Sequence, residues 1–413
     1  MLVERRRTAL PGELLTRVGA VWVFVCALLL TIHWAALISG PVLGAERGFD
    51  LAEAPPGILT FILAPVFGSQ IAHTASSVLM PLLTLGAAML LSAHVSWKLL
   101  GDEEATLTAL ILAISVPVLV QLAPTRLDFY GWQMICALGA INGMMLRTPR
   151  LGGWIAGGSL AAWLEISIHS WPVIAAIAAL LGLRWLQNRE ERFVAVAAVQ
   201  SFTVFSAVFT FLAMPLGEAI TPLAAASFVH LGILAWGSAV LTILAKLEPL
   251  PRGRIAVGFA FAIVGGVVIA LVTAPYWLPS IAAASGAGPI WSWMPGPGLQ
   301  YAITPFIGLI ATINLASRSH QWLRKFWFDY AVILGAALAA SVLLGQIGAV
   351  ACVLAAPPLA WQARSWFRSI RSMRNPAPRA FALIAVALAL LPSLPMVVAS
   401  YAGANVMASP LIQ

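Results

Sequence analysis

The chain has 413 residues, of which 61% are hydrophobic and 9% charged, against about 25% charged in an ordinary soluble domain. Its 23 basic and 15 acidic residues cannot coat a molecule of this size in water, which excludes a soluble globular protein and turns the surface toward lipid. The net charge of +8 would point to nucleic acid only if the basic residues formed a patch or tail outside a membrane context; here they punctuate apolar runs.

A helix crosses the hydrocarbon with about 20 apolar residues, and runs of that length predict an all-α, polytopic integral membrane bundle of about 13 transmembrane helices. It forms a single transmembrane domain over residues 1–413, with no soluble domain. The first predicted span, 18–40, follows Arg5, Arg6, Arg7 and Arg17 and has no small-x-small cleavage site after it, so it reads as an uncleaved helix and not a signal peptide. The first outer loop, 41–72, carries Glu46, Asp50 and Glu53, then an apolar stretch at 58–67 that is too short to span and is expected in the membrane interface. Asp50 and Glu53 are three apart, so one helical turn sets both carboxylates on one side to bind a divalent cation or share a proton; solvated loop acids are the competing reading.

Spans at 74–97, 105–123 and 127–146 come next. The last opens with Arg126-Leu127-Asp128-Phe129-Tyr130-Gly131-Trp132-Gln133. Helical spacing would put Arg126, Tyr130 and Gln133 on one face, while Asp128 meets the positive end of the helix dipole. A cap with an aromatic interfacial belt is the alternative. Residues 151–168 and 171–186 are either two short spans or one re-entrant element, with Glu165 and His169 at i, i+4 near the outer boundary. Ionisable groups at membrane depth cost about 2.5 to 3.5 kcal/mol each and so tend to line aqueous cavities. Gly153 and Gly157 read as close helix packing.

Spans at 193–213, 223–245 and 254–275 lead to the second long outer loop, 276–300, which is uncharged and carries Trp277, Trp291 and Trp293. Such a loop either rests on headgroups or closes over a lipid-linked substrate. The remaining spans are 301–317, 326–344, 347–363 and 379–401. With the N-terminus inside, this layout puts 21 of the 23 basic residues on the cytoplasmic side, leaving Arg47 and Arg126 outside. Eight carboxylates of the inner segments, Glu103 and Glu104 among them, read as solvated loop acids. Six others, Glu46, Asp50, Glu53, Asp128, Glu165 and Glu218, make the outer face acidic.

The chain has no P-loop, GxSxG, HExxH or CxxC pattern. Its six histidines lack zinc-ligand spacing, and Cys26, Cys136 and Cys352 lie in apolar runs as small core residues. Any chemistry must therefore use carboxylates.

With these residues in place, the chain resembles the GT-C superfamily of membrane glycosyltransferases, which includes oligosaccharyltransferases and protein mannosyltransferases, and within it bacterial polytopic members. The resemblance rests on Arg126 to Gln133, similar to the family's R-x-D-H-H-G-x-Q segment, and on Gly48-Phe49-Asp50-Leu51 and Pro55-Pro56-Gly57 in the first outer loop. Leu164-Glu165 with Trp171-Pro172, and the layout of spans and outer loops, are similar too. The resemblance implies a GT-C-like fold and transfer of a sugar from a polyprenyl-phosphate-linked donor on the outer face. It also implies residence in a bacterial inner membrane, N-terminus cytoplasmic and C-terminus periplasmic or extracellular.

Residue by residue, it implies Asp50 or Glu53 as base or metal ligand, and Asp128 with Arg126 near the carrier phosphate. Tyr130, Gln133, Glu165, His169, Trp291 and Trp293 are the accompanying substrate-binding candidates. A divalent metal, Mg or Mn, on Asp50 and Asp128 belongs to the same implication, as do membrane lipid and a polyprenyl-phosphate-linked sugar as partners. The chain departs from the family in having Phe129 and Tyr130 where two histidines are expected, and no acid within 276–300. A catalytically degenerate homologue is therefore one open reading, beside a transporter or flippase of a lipid or envelope precursor and a non-catalytic membrane scaffold.

Overall fold

In the computed structural model, residues 11–32, 54–122, 131–213, 228–247, 250–284, 298–344 and 347–392 are described. They are helical with no strand among them. We number the α-helices α1 (Gly12–Ile32), α2 (Ala54–Phe67), α3 (Ser69–Leu99), α4 (Asp102–Ala113), α5 (Val116–Gln121), α6 (Trp132–Met144), α7 (Pro149–Ile166) and α8 (Trp171–Gln187). These are followed by α9 (Arg192–Ala213), α10 (Phe228–Lys246), α11 (Arg252–Ala284), α12 (Gly298–Arg318), α13 (Gln321–Leu344), α14 (Gly348–Ser372) and α15 (Pro376–Leu390).

Helix lies within the described part of each stretch that the sequence predicts as a span, residues 33–40, 123, 127–130, 223–227 and 393–401 of those stretches lying outside the described residues, and α2 occupies the short apolar stretch of the first outer loop. Six helical segments among the described residues are long and apolar enough by themselves to cross a membrane: Gly12–Thr31, Ser69–Leu99, Arg189–Leu212, Val229–Lys246, Arg252–Thr273 and Gln321–Leu343. Their outward faces are apolar, as on α11, where Val257, Phe261, Val264, Val268 and Leu271 are exposed. In water such a surface would aggregate; in lipid it is the expected exterior. The chain is an integral membrane protein.

Three predicted spans differ in detail: α11 runs on to Ala284, so residues 276–284 of the expected second outer loop are helical, and two further stretches are divided. The stretch 105–123 is not one helix but α4 and α5, because Pro117 has no N–H to donate and its ring crowds the carbonyl a turn earlier, leaving Ser115 extended with ψ 101. The stretch 151–186 forms two helices, α7 and α8, separated by extended Ser167 and a single 3₁₀ turn, Ile168–Ser170. Each is roughly 26 Å long at 1.5 Å per residue. They pack on different neighbours, α7 on α6 and α9, α8 chiefly on α13.

The centre of the bundle is α14, which touches α3, α4, α5, α6, α12, α13 and α15. Its first half, Gly-Ala-Val-Ala-Cys-Val-Leu-Ala-Ala-Pro-Pro-Leu-Ala, is buried on every side, as an all-round apolar helix must be. Small residues let the neighbours approach: a Cβ at Gly308 of α12 would stand 2.5 Å from the Ala355 Cβ. The prolines in this core each orphan a carbonyl four residues back, and in hydrocarbon no water can satisfy it. Pro358 orphans the Leu354 carbonyl, to which the Tyr330 hydroxyl of α13 donates at 2.6 Å. Pro305 of α12 orphans the Tyr301 carbonyl, to which the Ser341 hydroxyl donates at 3.0 Å.

The packing role of the glycines is visible between α7 and α9. A Cβ at Gly153 would lie 2.5 Å from the Val194 carbonyl oxygen, and one at Gly157 would collide with the Ala198 carbonyl. At one end of the bundle, charges assigned to the same side meet. Arg184 Nε donates to Asp329 Oδ2 at 2.7 Å, Lys98 Nζ donates to the Met145 carbonyl at 2.9 Å, and Arg364 bridges Glu103 and Glu104. Glu104 is thus not the solvated loop acid that its sequence neighbourhood implies: it is 3% exposed, held under α14 by Arg364.

Candidate functional site

Three residues of the site expected from the sequence, Gln133, Glu165 and His169, lie at the opposite end of the bundle, where α3, α6, α8, α10 and α12 begin and α7 and α9 end. Asp50, Glu53, Arg126, Asp128, Tyr130, Trp291 and Trp293 lie outside the described residues. Gln133, Glu165 and His169 are described, and each is placed differently.

Gln133 sits in the first turn of α6 and is fully buried. Its Oε1 accepts from Trp163 Nε1 of α7 at 3.1 Å, while its Nε2 has no partner among the described residues. A buried amide left half-satisfied costs on the order of 1–3 kcal/mol. Gly131, just before α6, lies under Leu122 and Thr84, where even a Cβ would collide with the leucine. The two ends of the connection between α5 and α6 are therefore pinned together beside α3.

Glu165, half-buried, occupies the last turn of α7, two residues beyond Trp163. At 100° per residue it points to nearly the opposite side of the helix from Trp163, so it does not share a face with Gln133. The expected i, i+4 pairing of Glu165 with His169 on one helix is not realised, because α7 ends at Ile166 and Ser167 is extended with φ −156 and ψ 118. His169 lies in the 3₁₀ turn, where burial holds its imidazole below the usual range and so neutral near pH 7. The same turn holds the Ser167 hydroxyl, buried without a partner. The Ser170 hydroxyl closes the turn by donating to the Ser167 carbonyl at 2.6 Å.

Sequence reasoning missed the contacts that three residues make at this end. Trp163 positions Gln133 from 30 residues away. Trp171 and His230 stack at 5.6 Å and 28°, joining the start of α8 to the start of α10. Further buried groups at this end with no partner among the described residues are His73 Nδ1 and Thr304 Oγ1, in the second turns of α3 and α12. Of these, the sequence singled out only Trp171, as part of Trp171-Pro172 in the family resemblance and with no role assigned.

Among the described residues no three His, Cys, Asp or Glu side chains gather as a metal site. The carboxylates named for a metal, Asp50 and Asp128, lie outside those residues.

No family model matches the chain, and no curated protein does. Solved structures do. An archaeal oligosaccharyltransferase, AglB from Archaeoglobus fulgidus, in complex with an inhibitory peptide and a dolichol-phosphate, matches over 90% of this chain and 50% of its own, with a TM-score of 0.57 at 15% identity. An Archaeoglobus fulgidus oligosaccharyltransferase tethered with an acceptor peptide containing the NVT sequon matches over 91% of this chain and 54% of its own, with a TM-score of 0.55 at 14% identity. The chain spans about half the length of these enzymes. At this identity the likeness is one of fold: the helical bundle has the GT-C-like architecture that the outer-loop residues resemble.

Proposed function

We propose that this chain is a GT-C-like membrane glycosyltransferase homologue that transfers a sugar from a polyprenyl-phosphate-linked donor on the outer face of a bacterial inner membrane. The observation that carries this reading is the fold match over nine-tenths of the chain to oligosaccharyltransferases, one of them solved with a dolichol-phosphate. It adds to the acidic outer face of the sequence. In this reading the whole chain is one transmembrane domain with a cytoplasmic N-terminus, and the meeting of Arg184 with Asp329 and of Arg364 with Glu103 and Glu104 at one end supports the same partition of charge.

Asp50 or Glu53 would take the proton of an acceptor hydroxyl as its oxygen bonds to the anomeric carbon and the polyprenyl phosphate leaves. An anionic carboxylate suits that role at neutral pH. Arg126 beside Asp128 would neutralise the departing phosphate, because a guanidinium binds phosphate oxygens in bidentate fashion. Two carboxylates form a hard-oxygen donor set that suits Mg or Mn, and such an ion would stabilise charge on the leaving phosphate.

A transport pathway would need polar groups lining the depth of the membrane. The amides available at mid-span are instead engaged within the bundle or face outward. Asn142 Oδ1 accepts from His94 Nδ1 at 2.7 Å and its Nδ2 donates to the Leu91 and Leu138 carbonyls, Gln200 donates to Thr242 at 3.1 Å, and Asn314 is exposed.

The test supplies purified protein with polyprenyl-phosphate sugars and compares the wild type with Asp50→Asn and Asp128→Asn. Removing a general base or a phosphate-site carboxylate is expected to lower turnover by about a hundredfold or more. Equal turnover in all three removes these residues from the mechanism. Absence of turnover in the wild type with an intact fold favours the degenerate homologue.

A further inference from the structure

The second half of α14 emerges from the core at Trp361 and carries arginines at 364, 368 and 371, followed by Arg374 and by Arg379 in the first turn of α15. Positions 364, 368 and 371 are spaced four and three apart, so they lie on one stripe of the helix. Arg364 is committed to Glu103 and Glu104. Arg368, Arg371, Arg374 and Arg379 are exposed, and they make no ion pair or ring contact with any described residue. No Asp or Glu follows Asp329 in the sequence, and the nearby carboxylates of Glu103 and Glu104 are already taken. Four positive charges within 12 residues are therefore left without a counter-charge from the described residues.

Their depth is set by what flanks them. Upstream, α14 is core from Gly348 to Ala360, and Ile370 is still buried at 5% exposure. Downstream, α15 exposes Phe381, Ile384 and Leu388, as a lipid-facing helix does. A basic stretch between two such helices, with Trp361 and Trp366 at its start, lies at the level of the headgroups. A topology signal needs only that basic residues be present in the loop. It does not need four unpaired guanidinium groups gathered on one rim beside a buried anchor.

We propose that Arg368, Arg371, Arg374 and Arg379 form a binding site for the headgroup phosphates of anionic bilayer phospholipids. Guanidinium groups hold phosphate oxygens in bidentate fashion, and a cluster of four to eight basic residues next to a membrane helix gains roughly tenfold or less in affinity for each residue near an anionic surface. This site lies at the opposite end of the bundle from the proposed sugar-transfer site and does not depend on that activity.

The experiment titrates phosphatidylglycerol and phosphatidylcholine onto the delipidated full-length protein in zwitterionic detergent, with native mass spectrometry as the readout. Wild type is expected to prefer phosphatidylglycerol at least about tenfold, a preference that shrinks as salt rises. R368Q/R371Q/R374Q/R379Q is expected to lose the preference, and the corresponding all-lysine variant to keep most of it. A control variant with Arg189, Lys246, Arg252 and Arg254 changed to glutamine, at exposed basic positions of the same end, is expected to keep it. Retention by the first variant, or equal loss by the first and the control, overturns the site. Displacement of the lipid by inorganic phosphate at matched concentration, or by RNA, overturns the assignment to a phospholipid.

Discussion

Arg364 shows how a single residue acquires its role from partners far away in the chain. Glu104 is buried beneath α14, and its charge is tolerated because the guanidinium of Arg364 is joined to it. Removing one partner of a buried pair leaves an uncompensated charge, at a cost of about 3–5 kcal/mol, whereas an exposed pair contributes about 0–1 kcal/mol. Arg364→Met should therefore sharply lower the thermal unfolding temperature in detergent. Glu103→Gln, on the exposed side of the bridge, should barely move it. The double replacement of Arg364 by Met and Glu104 by Leu should recover most of the loss, since a packed apolar pair needs no compensation. Unfolding of Arg364→Met at the wild-type temperature would mean that Glu104 finds another partner or protonates. None of this was legible in the sequence, where Glu104 follows Asp102 and Glu103 at a helix start and reads as one more solvated loop acid.

At the scale of elements, the helices were legible because hydrophobic runs of bilayer length leave little choice in hydrocarbon: every backbone polar group must be satisfied within the segment. Failures of legibility sit where prolines interrupt that rule. Pro117 divides one predicted span into α4 and α5, while Pro305 and Pro358 leave α12 and α14 intact because α13 supplies hydroxyls to the carbonyls they orphan. Which outcome a proline produces depends on a neighbouring helix, and local sequence cannot report it. Tyr330→Phe deletes one of these donors without changing shape and leaves the Leu354 carbonyl buried and unpaired. A loss of about 1–3 kcal/mol is expected, read as a lower unfolding temperature with helicity by circular dichroism retained at ambient temperature. If Tyr330→Phe matched the wild type, the α13 hydroxyl would not be what allows α14 to carry Pro358.

For the whole molecule, the distribution of charge predicts an orientation that a labelling experiment decides. Cysteine introduced at Ser372, exposed at the end of α14, should react with a membrane-impermeant maleimide only from the cytoplasmic side. One at Ser285, in the second long outer loop, should react only from outside. Native Cys26, Cys136 and Cys352 are buried, so background labelling should be low. Reaction of both positions from one side would overturn the thirteen-span layout. By itself, the sequence determined that the chain lives in lipid and that it is a helical bundle. These follow from composition and from the length of the apolar runs, which are local properties of the chain. Only the tertiary structure decided that α14 is the central helix, that Glu104 is buried against Arg364, that Gln133 hangs from Trp163, and that Glu165 and His169 part company at Ser167. Each of these depends on contacts between segments distant in sequence or on where a helix stops, and a hydrophobic run of uniform composition carries no record of which neighbour it will face.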